Sequence, residues 1–104
     1  MKAYKLTDEN GQTKNNTQWG ENVTHEVRGD DPELCSSSWI HFYGNPLIAI
    51  LMNPMHANFI KPIMWECNAE GETLHKPLKS GCKKLTTNIQ IDFQAIAKKA
   101  MTYS

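Results

Sequence analysis

The chain has 104 residues and 11.8 kDa, the length of a single domain (1–104) with one modest core. Eleven Lys and Arg balance eleven Asp and Glu, so the formal net charge is zero. That balance excludes the broad basic footprint of a non-specific nucleic-acid binder. The longest aliphatic run, Leu47 to Met52, is six residues against the ~18 that a membrane span needs. The start, Met1-Lys2-Ala3-Tyr4-Lys5, lacks the apolar stretch of a signal peptide. Three cysteines, Cys35, Cys67 and Cys82, form an odd and widely spaced set, so free thiols in a reducing cytoplasm are expected.

Ala3 to Thr7 reads as a strand, and Asp8-Glu9-Asn10-Gly11 as a turn, because Asn-Gly tolerates positive φ. Residues 12–33 are polar and broken by Gly20, Gly29 and Pro32, which predicts loops with a weak strand near Val23 to Val27. Trp39-Ile40-His41-Phe42-Tyr43 is the strongest strand signal, rich in aromatic and branched residues. Asn45-Pro46 then supplies a cap and a first-turn proline. Leu47 to Met52 has no polar side, so a short buried helix is expected, stopped by Asn53-Pro54. Ile63 to Cys67 reads as a strand, Asn68-Ala69-Glu70-Gly71 as a turn leading into Glu72 to Leu74, and Thr86 to Ile91 as a further strand. In that last strand, Thr87, Ile89 and Ile91 share one face. Asp92 can cap a C-terminal amphipathic helix with a stripe of Phe93, Ile96, Ala97, Ala100 and Met101. The expected class is α+β, with a mostly antiparallel sheet, one short buried helix after the central strand and this final helix.

The segment from Cys35 through Trp39-Ile40-His41-Phe42-Tyr43-Gly44 to Asn45-Pro46-Leu47 resembles a family of small, uncharacterised proteins encoded by bacteriophages and prophages. Trp65-Glu66-Cys67-Asn68-Ala69-Glu70-Gly71 resembles that family's Glu-bearing strand, and Lys83-Lys84-Leu85-Thr86-Thr87-Asn88-Ile89 its closing Lys/Thr strand. The likeness covers residues 34–91. It implies a phage or mobile-element setting and carries no activity with it.

Alternation places Trp39, His41 and Tyr43 on one face of their strand, with Ile40 and Phe42 on the other. With the aliphatic pair facing inward, the ring-bearing face would be offered to a ligand or partner. With Glu66 from a neighbouring strand, His41 and Tyr43 would make a set that resembles the NAD pocket of ADP-ribosyltransferases. Against that, Ala3 to Thr7 offers neither the Arg nor the His such pockets place there, and the chain is short for that fold. The cysteines sit 32 and 15 positions apart, unlike the paired spacing of a structural zinc site, so neither a metal nor a cofactor is expected. Lys76, Lys79, Lys83 and Lys84 form a basic cluster whose ordinary meaning is a solvated loop. Met55, His56 and Phe59 lie in a stretch without clear periodicity, suited either to an adaptable binding surface or to closing the core.

These features point to a small non-enzymatic protein that binds and inhibits a host protein, such as one in antiviral defence, or sequesters a small nucleotide-like ligand. Trp39, His41, Tyr43, Met55, His56 and Phe59 are its candidate binding residues. The alternatives are an ADP-ribosyltransferase-like enzyme or NAD-binding module using His41, Tyr43 and Glu66, and a virion or assembly component that forms homo-oligomers. Neither nucleic acid nor membrane is an expected partner.

Overall fold

A computed structural model describes residues 1–92 together with Ala95, Ile96 and Lys98. The strands are β1 (Lys2–Thr7), β2 (Gln12–Thr13), β3 (Thr17–Gln18), β4 (Val23–Glu26), β5 (Ile40–Phe42), β6 (Ile63–His75) and β7 (Ser80–Ile91). A 3-10 turn, Lys14–Asn16, joins β2 to β3, and the helix α1 spans Pro46–His56. The α+β class with an antiparallel sheet and one helix agrees with the sequence reading. The residues Phe93, Ala97, Ala100 and Met101 of the expected C-terminal helix lie outside the described residues. At its start, the Asp92 carboxylate accepts the Ala95 amide at 3.1 Å.

The long β6–β7 hairpin is the centre of the sheet, which runs β1-β6-β7-β4, with β5 also pairing β7. β4 and β5 lie end to end along one edge of β7: Val23 to Glu26 face Thr87 to Lys84, and Ile40 to Phe42 face Cys82 to Ser80. Just past β5, Tyr43 exchanges two backbone hydrogen bonds with Tyr4 of β1, each 2.8 Å. The pairings β1-β6-β7-β5-β1 thus close a circuit, and the sheet curls into a small barrel.

Closure makes two cores. Inside lie Ala3, Ile40, Phe42, Trp65, Cys67, Ala69, Cys82 and Leu85, with Trp19 covering one side. Outside, Leu6, Tyr43 and Met64 meet Ala49 and Met52 of α1, flanked by Ile48, Ile50 and Phe59. Polar atoms drawn into the enclosed face find partners: Trp65 Nε1 donates to Thr7 Oγ1 at 2.9 Å, and Thr87 Oγ1 donates to the Gly20 carbonyl at 2.5 Å.

Three local expectations are corrected. Asn68 to Gly71 is not a turn: β6 runs through it, and Gly71 takes φ 78° where a bulge interrupts the pairing between Glu70 and Thr73. The chain reverses at Lys76–Lys79 instead, where the Lys76 amide donates to the Lys79 carbonyl at 3.0 Å. The shared face of Thr87 and Ile89 is broken, because Cys67 opposes Thr87 while its neighbour Glu66 opposes Ile89; Thr87 is buried and Ile89 exposed. Finally, α1 continues through Pro54 to His56. Proline there removes the amide that would reach Ile50, a loss of one bond near the helix end. Asn53 then ties the exit down, its side chain exchanging two hydrogen bonds of 3.0 Å with the Phe59 backbone.

Candidate functional site

Asn45 caps α1 as its sequence suggests, its Oδ1 accepting the Leu47 amide at 2.8 Å ahead of Pro46. Beyond the cap, however, α1 is not the enclosed helix expected from composition. It carries no charged side chain, and only one side of it meets the sheet, through Ala49 and Met52. Its opposite side exposes Leu47 (41%), Leu51 (72%) and Met55 (77%), a ridge at spacing i, i+4, i+8, and Ile60 beyond the helix is 93% exposed. The helix is apolar nearly all round, so the barrel can bury only half of it.

The ring-bearing face of β5 is covered rather than open. Ile40 and Phe42 do face the enclosed core, as alternation requires, but Trp39 and Tyr43 are buried as well. The reason is that the sheet has packing on both sides here. Trp39 Nε1 donates to the Asp31 carbonyl at 2.8 Å, and Lys83 Nζ sits 3.9 Å from the centroid of its ring. The same ammonium donates to the Gly29 and Ser38 carbonyls, so Lys83 is a strut and not part of a solvated loop. Gly81, opposite His41, leaves the room this packing needs: a Cβ there would stand 2.6 Å from Leu34 Cδ1.

His41 is half-buried, with Nε2 2.5 Å from the Leu34 carbonyl. A carbonyl only accepts, so Nε2 carries the proton. Burial lowers the ring's pKa against the raising effect of that bond, with Lys79, Lys5 and Lys14 adding to the lowering. Tyr43 OH is 2.5 Å from His56 Nδ1, and the two rings stack with centroids 5.9 Å apart. Burial pushes the phenol up to about 12, so Tyr43 is the donor in that bond. Burial also lowers the His56 pKa, with a smaller contribution from Lys79.

Glu66 belongs to another neighbourhood. It is 2.8 Å from Lys2 Nζ and lines an open cleft with Lys2, Cys67, Asn68 and Asn88. Tyr43 and Glu66 flank Tyr4 from opposite sides, which sets their strands about 10 Å apart. His41, Tyr43 and Glu66 therefore each answer to a different partner, Leu34, His56 and Lys2, and do not converge on one point. Met55 is open to solvent, His56 is exposed but engaged with Tyr43, and Phe59 packs against the outer core.

Sequence reasoning missed Leu47 and Leu51, because an uncharged apolar segment reads as buried whatever its surroundings. It also missed Trp19, buried from within a stretch read as polar loop, and Lys5, which alternation with Ala3 and Thr7 directs into the barrel. Among the described residues no three His, Cys, Asp or Glu side chains group as a metal site would, and no helix is long and apolar enough to cross a membrane. Comparison with family models, with curated proteins and with solved structures finds no match to this chain.

Proposed function

We propose that this chain is a small non-enzymatic binding protein that engages another protein through the outer ridge of α1. The observation that carries the reading is the open row Leu47, Leu51 and Met55 on a capped helix without Asp, Glu, Lys or Arg. With Ile60, that row offers apolar surface on the order of 500 Å², near the upper end of what monomers expose. Two such ridges laid together fall short of the ~800 Å² per partner of a standard interface. A groove that wraps the ridge from both sides buries more for each residue, as in helix-in-groove recognition. The occupant is therefore a different protein with an apolar groove, its floor free of charge because α1 has none to pair with it. In the phage or mobile-element setting that the resemblance implies, this partner is a host protein in the cytoplasm whose action is blocked by occupation of the groove.

Photo-crosslinkers placed at position 51 and, as a control, at Glu72 on the far end of the hairpin test this in lysate of a bacterial host. One adduct formed from position 51 alone, whose purified protein component loses affinity for the chain on Leu51→Lys, is the expected result. Adducts only between copies of the chain, or affinity unchanged by Leu51→Lys, would overturn it. So would label transferred from NAD by the wild-type chain and lost in Glu66→Gln, which would instead favour the enzyme.

A further inference from the structure

α1 carries one ionisable side chain, His56, and it stands where the helix is held least. Pro54 has removed the backbone bond to Ile50, and Asn58 just beyond the helix takes φ 55°, in the left-handed region. Two side chains hold this last turn in place. Asn53 exchanges its two bonds with Phe59, and His56 meets Tyr43 at the end of β5. Asn53 cannot titrate, whereas His56 can.

His56 continues the sheet-facing side of α1 that Ala49 and Met52 begin. Its ring stacks on Tyr43 with 10° between the planes, and Nδ1 lies 2.5 Å from the hydroxyl. That hydroxyl makes no other hydrogen bond with a described residue. The phenol is the donor, so the bond lasts only while Nδ1 keeps its lone pair. A proton on Nδ1 sets two donors against each other and leaves the hydroxyl hydrogen without an acceptor.

Around the ring, β5 brings Tyr43, β1 brings Tyr4 and the reversal ahead of β7 brings Lys79, while β6 and β7 bring apolar Met64 and Ile91 to the same cluster. None of these offers a carboxylate, and His56 makes no ion pair with a described residue. Burial first, and then Lys79, disfavour the charged ring, against the carbonyls at the helix end, which favour it. His56 therefore gains its proton below the ordinary value of 6.5.

We propose that Tyr43 and His56 form an acid-released latch on α1: the neutral ring fastens the last helical turn to β5, and its protonation unfastens it. Met55 belongs to that turn, so release takes one end of the docking row out of line with Leu47 and Leu51. The latch stands on the Tyr43–His56 geometry; its effect on docking rests on the reading of α1 as the binding helix. As pH falls past 6.5 the unfolded chain takes the proton first. The latch's share of stability is thus whole above 6.5 and is lost as pH drops through the lower folded-state value.

The latch is read on the purified full chain by nuclear magnetic resonance between about pH 7.5 and 4.5. Tyr43→Phe keeps the ring and deletes the hydroxyl, so the His56 midpoint should move up toward 6.5. The Ala57 amide donates to the Asn53 carbonyl at 3.0 Å. Its protection from exchange should fall about fivefold as the wild-type chain passes the midpoint, while amides of the β6–β7 ladder hold. His56→Gln, which has an acceptor and cannot titrate, should abolish that fall. An unmoved midpoint in Tyr43→Phe, or Ala57 protection that ignores pH or responds equally in His56→Gln, would each overturn the latch. Coupling is read separately: below the midpoint the protein crosslinked from position 51 should bind the wild-type chain about fivefold more weakly, and His56→Gln unchanged. A latch that opens without this loss would refute the coupling. If position 51 captures no protein, the docking reading and the coupling fall together, while the resonance result still decides the latch.

Discussion

The two apolar clusters are built by opposite means. The one inside the barrel is walled by strands on every side, so its members are almost wholly enclosed and even its polar atoms are matched: Thr7 to Trp65, Thr87 to Gly20, Lys5 to His41. The one beneath α1 has a wall of sheet and a lid of helix, and the lid has more apolar side chains than the wall can cover. In the first, position is dictated by closure; in the second, half of the helix is left over. A residue's hydrophobicity therefore says little about its stability role here until the element carrying it is placed.

The largest effect expected from this contrast is at Phe42, fully enclosed within the barrel. Phe42→Ala should cost about 3–5 kcal/mol in urea unfolding, since strands on all sides cannot collapse into the space left behind. A loss under about 1 kcal/mol would show that the interior relaxes as freely as a surface, and the contrast would fail.

A second effect comes from Lys5 and is measured against pH. Below pH 8 the ammonium is charged in both the folded and unfolded chain. Between about 8 and 10.5 the unfolded chain holds a proton that the fold has lost, so stability rises with pH. Cys67 and Tyr43 act the other way: burial raises them from 9 and 10 to about 12, so above pH 9 the fold keeps protons that the unfolded chain sheds, and stability falls. Cys82 is raised from 9 in the same sense as Cys67, and an unfolded thiol is half ionised by pH 9, so across pH 8 to 9 the Lys5 gain of about 1 kcal/mol is largely offset. The wild-type profile should be nearly level there, and Lys5→Met should turn it downward by up to about 1 kcal/mol. A slope that Lys5→Met leaves unchanged would mean that water reaches the ammonium as easily in the barrel as in the open chain.

The smallest effect sharpens the other side of the comparison. Leu51→Ala should shift stability by no more than about 0.5 kcal/mol, because Leu51 is 72% exposed. A cost of about 2 kcal/mol or more would reveal that the outer side of α1 is covered in solution.

Much of the architecture was legible where a single local rule decides. The Asn45-Pro46 cap follows from one side-chain oxygen and one missing amide, and the inward turn of Ile40 and Phe42 follows from alternation alone. The candidate site was less legible, because it depends on what lies on the other side. Trp39 and Tyr43 looked available until the loop bearing Asp31 and the helix bearing His56 were seen to lie over them. Asn68 to Gly71 has the composition of a turn, yet the register with β7 makes it a bulge within one long strand. The burial of Lys5 was not legible at all, since nothing local shows that both faces of β1 are covered.

The pairing pattern also sets an order of assembly. β6 and β7 are neighbours in the chain and joined by a tight reversal, whereas β1 finds its partner about sixty positions later and β4 and β5 both lean on β7. Loop closure of that span is slow compared with the local hairpin. During synthesis, then, β1 has no ladder partner until β6 leaves the ribosome, and β4 and β5 have none until β7 does.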